Sequence, residues 1–170
     1  MRYALLGCCV FAAACAGEGS GVPTSPSSTV NGSALTEAKG GSRLPFKGTL
    51  QGPEAVEGTE HRIEATGNAT HLGQFTLVSE FTVTDVPPPA PSTGAGTATW
   101  TAANGDTLIT SVTGVGVVQF PIVTITETYA ITGGTGRFVG ASGTFMGERT
   151  FNILTGITSG SFTGTINLGH

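Results

Sequence analysis

One carboxylate stands inside an otherwise apolar two-residue repeat. Val123, Ile125, Tyr129 and Ile131 fall on one side of the alternation, and Glu127 falls among them. If that side faces a protein interior, the carboxylate needs either a proton or a cation beside it. Arg149 alternates with Phe145 and Phe151 and is placed to be that cation. His71 continues the Ile63, Ala65 and Ala69 face near a strand end. Phe81 shares a face with Phe75, Leu77, Ser79 and Val83, and Trp100 points inward with Ala98. Together Glu127, Arg149, His71, Tyr129, Trp100 and Phe81 are the candidate lining of a small-molecule cavity, with Glu127 as acid, base or orienting acceptor. The same residues admit a plainer role: an ion pair fixing strand register, a hydrogen-bonded histidine, and aromatic core. Glu64, Glu80 and Glu148 fall on polar faces and belong to solvent.

Other chemistries lack their residues. There is no Gly-x-Ser-x-Gly elbow, no His-Glu-x-x-His pair, no phosphate loop and no dinucleotide fingerprint. Gly133-Gly-Thr-Gly136 lies between strands, without the helix N-terminus that would receive a phosphate. Cys8, Cys9 and Cys15 all precede residue 16, and His61 and His170 read as a loop and a terminal residue, so neither a metal nor another cofactor is expected. A net charge of −4 argues against nucleic acid.

The elements that must position these residues are strands. Only 11% of residues are charged, 27 of the 170 are glycine, and threonine is abundant. That composition favours pleated strands over helices. A first strand is expected near Pro45–Leu50, followed by a turn-rich loop over Glu54–Glu60. Strands follow over Arg62–His71 and Phe75–Val83, and then a stiff Pro87–Pro91 loop. Asn104-Gly105 is the clearest hairpin signal, between Thr97–Thr101 and Thr107–Val112. Gly114 and Gly116 break the next run. A long strand covers Phe120–Ile131, a glycine hairpin leads into a strand ending near Phe151, Gly156–Gly160 turn, and Ser161–Leu168 closes. Some eight strands in sequence order, with no helix between them, make an antiparallel meander. Closing it into a barrel removes its edges, and a two-sheet sandwich is the competing arrangement.

Three regions divide the chain. Residues 1–15 have the Arg2 n-region and short apolar core of an export signal. Ala12-Ala13-Ala14-Cys15 resembles a bacterial lipobox, with Ala12 where that pattern usually has Leu. The resemblance implies lipidation of Cys15 and a membrane anchor; ordinary cleavage after Ala14 would give a secreted or periplasmic protein instead. Residues 16–43 are rich in Gly, Ser, Thr and Pro and read as a flexible tether. Residues 44–170 form the domain.

Glu127-Thr-Tyr-Ala-Ile-Thr-Gly-Gly-Thr-Gly-Arg-Phe-Val-Gly-Ala-Ser-Gly-Thr-Phe145 resembles the signature hairpin of the allene oxide cyclase and dirigent barrel superfamily. Ala69–Thr76 and the Gly94–Asp106 hairpin are similar to bacterial allene-oxide-cyclase-like proteins. The resemblance spans about residues 44–168 and implies an eight-stranded antiparallel closed barrel, often oligomeric. Members of that superfamily fold reactive substrates in apolar cavities or steer radical coupling, by cavity shape and a few polar groups. Two functions follow as expectations. One is a non-catalytic cell-envelope barrel that binds a small apolar ligand or a protein partner. The other is a cavity-based cyclase or isomerase with Glu127 and Arg149 as its polar groups.

Overall fold

The computed structural model describes residues 42–84 and 86–169. The proposed signal, Cys15, the tether as far as residue 41 and His170 lie outside the described residues. Eight strands follow one another: β1 (Leu44–Glu57), β2 (Glu60–Ala69), β3 (Gly73–Val83), β4 (Ser92–Ala102), β5 (Thr107–Gln119), β6 (Ile122–Gly134), β7 (Ser142–Asn152) and β8 (Ile157–Asn167). Each pairs antiparallel with the next, and β1 pairs with β8, so the sheet is a closed barrel. The sandwich alternative is thereby excluded.

Closure sorts the side chains by parity. Phe75, Leu77 and Ser79 of β3 are buried while Gln74, Thr76, Val78 and Glu80 are exposed, and the other strands repeat this pattern. Half of the barrel is filled by aromatic rings. Phe46, Phe75, Trp100, Tyr129, Phe145 and Phe162 form one continuous cluster. Trp100 lies edge-on to Phe75, Tyr129, Phe145 and Phe162, and Tyr129 stacks on Phe145 with centroids 4.7 Å apart. Such pairs contribute roughly 0.5–1.5 kcal/mol each beyond the area they bury. The end of the barrel below this cluster is capped by Leu72 and Phe138, both buried. Phe138 is set there by a single 3-10 turn, Gly136–Phe138, within the glycine hairpin. Gly136 has φ of 55°, and a Cβ on it would strike the Asp106 carboxylate, so this turn requires glycine.

Four boundaries differ from the sequence reading. β1 runs to Glu57, so Glu54 is in a strand and not in a loop. His61 is likewise inside β2. Gly114 and Gly116 do not break a strand; they lie within β5, facing inward. The segment Gly156–Gly160 is mostly strand, because β8 starts at Ile157.

Candidate functional site

Opposite the aromatic cluster the barrel is open. A cavity of about 530 Å³ opens at the end formed by the β1–β2, β3–β4, β5–β6 and β7–β8 connections. Its walls are largely apolar, with Val83, Val112, Val118, Val123 and Ile125 contributing. Gly94, Gly114 and Gly116 face it, where side chains would occupy the space. A Cβ on Gly114 would lie 2.8 Å from Cγ of Glu127, whereas one on Gly94 would meet nothing closer than 3.5 Å.

Between the cavity and the aromatic cluster lies a layer of buried charge. Arg149 of β7 is its centre, with a side chain 3% exposed. Its Nε donates to Oε1 of Glu127 at 3.0 Å, and Nη2 lies 2.9 Å from the same oxygen. Its Nη1 donates to Oε2 of Glu54 at 2.6 Å and to Oγ1 of Thr158 at 2.9 Å. The other oxygen of Glu127 accepts from the Tyr129 hydroxyl at 2.8 Å. The other oxygen of Glu54 lies 2.8 Å from Nδ1 of His61. The imidazole stacks on Phe81 with centroids 5.1 Å apart, and the Arg149 guanidinium lies 5.5 Å from the same ring.

Position along the strands explains the order of these groups. Glu127 and Tyr129 are successive inward residues of β6, as are Glu54 and Val56 of β1. His61 pairs with Val56 on one side and Phe81 on the other, one inward step nearer the mouth than Ile63, the partner of Glu54. Burial would lower the affinity of Arg149 for its proton, but the charges of Glu127 and Glu54 outweigh it and hold the guanidinium protonated above its ordinary range. Burial, then the neighbouring Glu127 charge, pushes the Tyr129 hydroxyl well above its ordinary value, so it remains a donor.

The structure brings Glu127, Arg149 and Phe81 to the cavity. Trp100 and Tyr129 sit below it in the packed half: Trp100 is fully buried, with Nε1 donating to Thr110. His71 is not on the cavity face. It occupies the β2–β3 turn at the capped end with φ of 65°, because the chain has already turned there and strand parity no longer applies. Sequence reasoning missed Glu54, His61 and Thr158. Glu54 and His61 each extend an inward alternation by one further step: Leu50, Gly52, Glu54 and His61, Ile63, Ala65. Among the described residues, no group of three or more His, Cys, Asp or Glu side chains is arranged to hold a metal ion. No protein-family model matches this chain, and no curated protein matches it either.

Proposed function

We propose that this chain is a ligand-binding barrel of the cell envelope, taking a small, largely apolar molecule into its open end. The observation that carries this reading is the asymmetry of the interior: one half is packed with rings, while the other holds a cavity of about 530 Å³ with apolar walls. Kinship with the allene oxide cyclase and dirigent barrels is part of the proposal. Its support is the Glu127–Phe145 segment together with the eight-stranded closed topology, and fold alone does not carry function. Export is proposed from residues 1–15, with anchoring through Cys15. Full-length protein partitioning into detergent, and Cys15→Ser remaining in the aqueous phase, is the expected result; equal partitioning of both would remove the anchor.

The binding reading is tested by filling the cavity. A screen of apolar metabolites against the full chain, read by thermal stabilisation, yields at least one that binds saturably. Gly94→Leu folds, since a Cβ there has room, yet fails to bind that compound. Failure of every compound to stabilise the wild type, or equal binding by Gly94→Leu, overturns the reading.

A second reading, a cyclase or isomerase working in the cavity, is favoured by the polar layer at its floor. In it Glu127 and Arg149 orient the bound molecule without exchanging protons, because each is committed to the other.

A further inference from the structure

We propose that His61, held by Glu54, is a proton-transfer group that acts on molecules bound in the cavity. This rests on the cavity-binding reading but assigns a catalytic residue that the Glu127–Arg149 pair does not provide. Both oxygens of Glu127 are occupied, one by Arg149 and one by Tyr129. Both oxygens of Glu54 are occupied, one by Arg149 and one by His61. A carboxylate bound in this way to a guanidinium is a poor base, because taking a proton would break the buried pair. His61 differs. Its Nδ1 lies 2.8 Å from Glu54, which fixes that nitrogen as the one bearing hydrogen. Among the described residues Nε2 has no hydrogen-bond partner. The ring lines the cavity with its side chain 16% exposed and stacks on Phe81 at an interplanar angle of 28°. An imidazole oriented through Nδ1 by a buried carboxylate, with Nε2 free towards a ligand space, is the geometry of general acid–base catalysis.

Charge supports the assignment. The layer holds two carboxylates against one guanidinium, so a proton arriving on His61 would make the count equal, Glu54 with His61 and Glu127 with Arg149. The groups facing His61 are Glu54, Arg149 and, beyond Arg149, Glu127. The class of molecule acted on is a small apolar compound with an acidic C–H or O–H, and moving that proton from one atom to another needs no oxidant or co-reactant.

The probe is 5-nitrobenzisoxazole, a small planar compound that suits an apolar cavity. Nε2 of His61 takes the C3 proton, the C–H electron pair becomes the third bond of a nitrile, and the N–O bond breaks to leave a phenolate. The proton then passes from the imidazolium to water. The full-length wild type is expected to open the ring at least about 100-fold faster than His61→Gln at saturation. His61→Gln should still bind the probe, measured by equilibrium dialysis. His71→Asn, at the capped end, should match the wild type. Glu54→Gln is the positioning test: kcat should fall while KM stays near the wild-type value. Carbethoxylation of His61 in the wild type, mapped by mass spectrometry, should abolish the rate and hydroxylamine should restore it; this arm does not depend on any variant folding. Probe binding without ring opening, or an undiminished rate in His61→Gln or after modification, overturns the role of His61 alone. No probe binding by the wild type overturns the cavity reading and this proposal with it.

Discussion

Two arginines in this barrel each sit between two glutamates, one inside and one outside. Arg149 joins Glu127 and Glu54 across the interior, with side chains 3%, 6% and 1% exposed. Arg62 joins Glu64 of its own strand and Glu80 of β3 on the outer surface, where it is 45% exposed and the glutamates more so. The residue types are the same and the physics is not. Outside, water solvates each charge whether or not it is paired, and salt screens the pair. Inside, the charges have only one another, Tyr129, Thr158 and His61. The outer group decorates β2 and β3. The inner one ties β1, β6, β7 and β8 together across the lumen, and forms the floor of the cavity. A cluster is defined here by its surroundings more than by its members.

The largest expected effect is from removing the inner cation. Arg149→Met leaves two carboxylates buried against an apolar side chain, and breaking such a group destabilises by roughly 3–5 kcal/mol. That is a large share of the total stability of an ordinary domain, roughly 5–15 kcal/mol. Urea denaturation should show the midpoint collapsing with little change in slope. A loss below about 1 kcal/mol would mean that water reaches the layer through the open mouth, and the contrast between the two arginines would dissolve.

The inner cluster was half legible in the sequence. Glu127 lies between Ile125 and Tyr129, and Arg149 shares its parity with Phe145 and Phe151, so alternation marked both as candidates for the inner face. Glu54 and His61 are hidden by their neighbours. Gly52-Pro53 before Glu54, and Glu57-Gly58-Thr59-Glu60 before His61, carry the composition of a loop. The β1–β2 ladder skips Gly52 and Pro53 yet resumes in the same register, Gly48 with Ala69 and Glu54 with Ile63. β1 therefore tolerates a residue with no N–H, and its inward alternation continues through it. Gly114 and Gly116 misled in the opposite sense. Glycine usually weakens a strand, but here neighbours on both sides hold β5, and missing side chains make the cavity. The barrel as a whole was readable because eight alternating runs with short connections leave few other closures. The open end was not, since no local pattern says where a barrel stops being filled.

A smaller effect sharpens the inner half of the comparison. Tyr129→Phe removes the donor to the second oxygen of Glu127 and should cost about 1–2 kcal/mol at neutral pH. It should also change the response to alkali. Below the ordinary tyrosine value of 10.0 the folded and unfolded chains both hold the phenolic proton. Above it the unfolded chain releases the proton and the barrel keeps it, because burial and Glu127 oppose the phenolate. The folded state then binds more protons, so stability falls as pH rises, by up to about 1.4 kcal/mol per pH unit from this group. The difference between wild type and Tyr129→Phe should therefore narrow above pH 10. A constant difference up to the alkaline limit would mean that the hydroxyl ionises as easily inside as out.

The outer arginine gives the smallest effect, and the smallness is informative. Hydrogen bonding to Glu64, helped by the charges of Glu64 and Glu80, raises the proton affinity of Arg62 as its glutamates do for Arg149. Proton affinity alone would thus rank the two arginines as similar. Stability should not. Arg62→Ala exposes Glu64 and Glu80 to water that already surrounds them, so its melting temperature should match the wild type within replicate scatter. Any residue of difference at low salt should vanish in high salt, where exposed pairs are screened, while the Arg149→Met deficit should persist because buried pairs are screened much less. A salt-independent loss in Arg62→Ala would show the outer pair acting as a strand clamp between β2 and β3. The boundary between inner and outer chemistry would then have to be redrawn by strand pairing and not by burial.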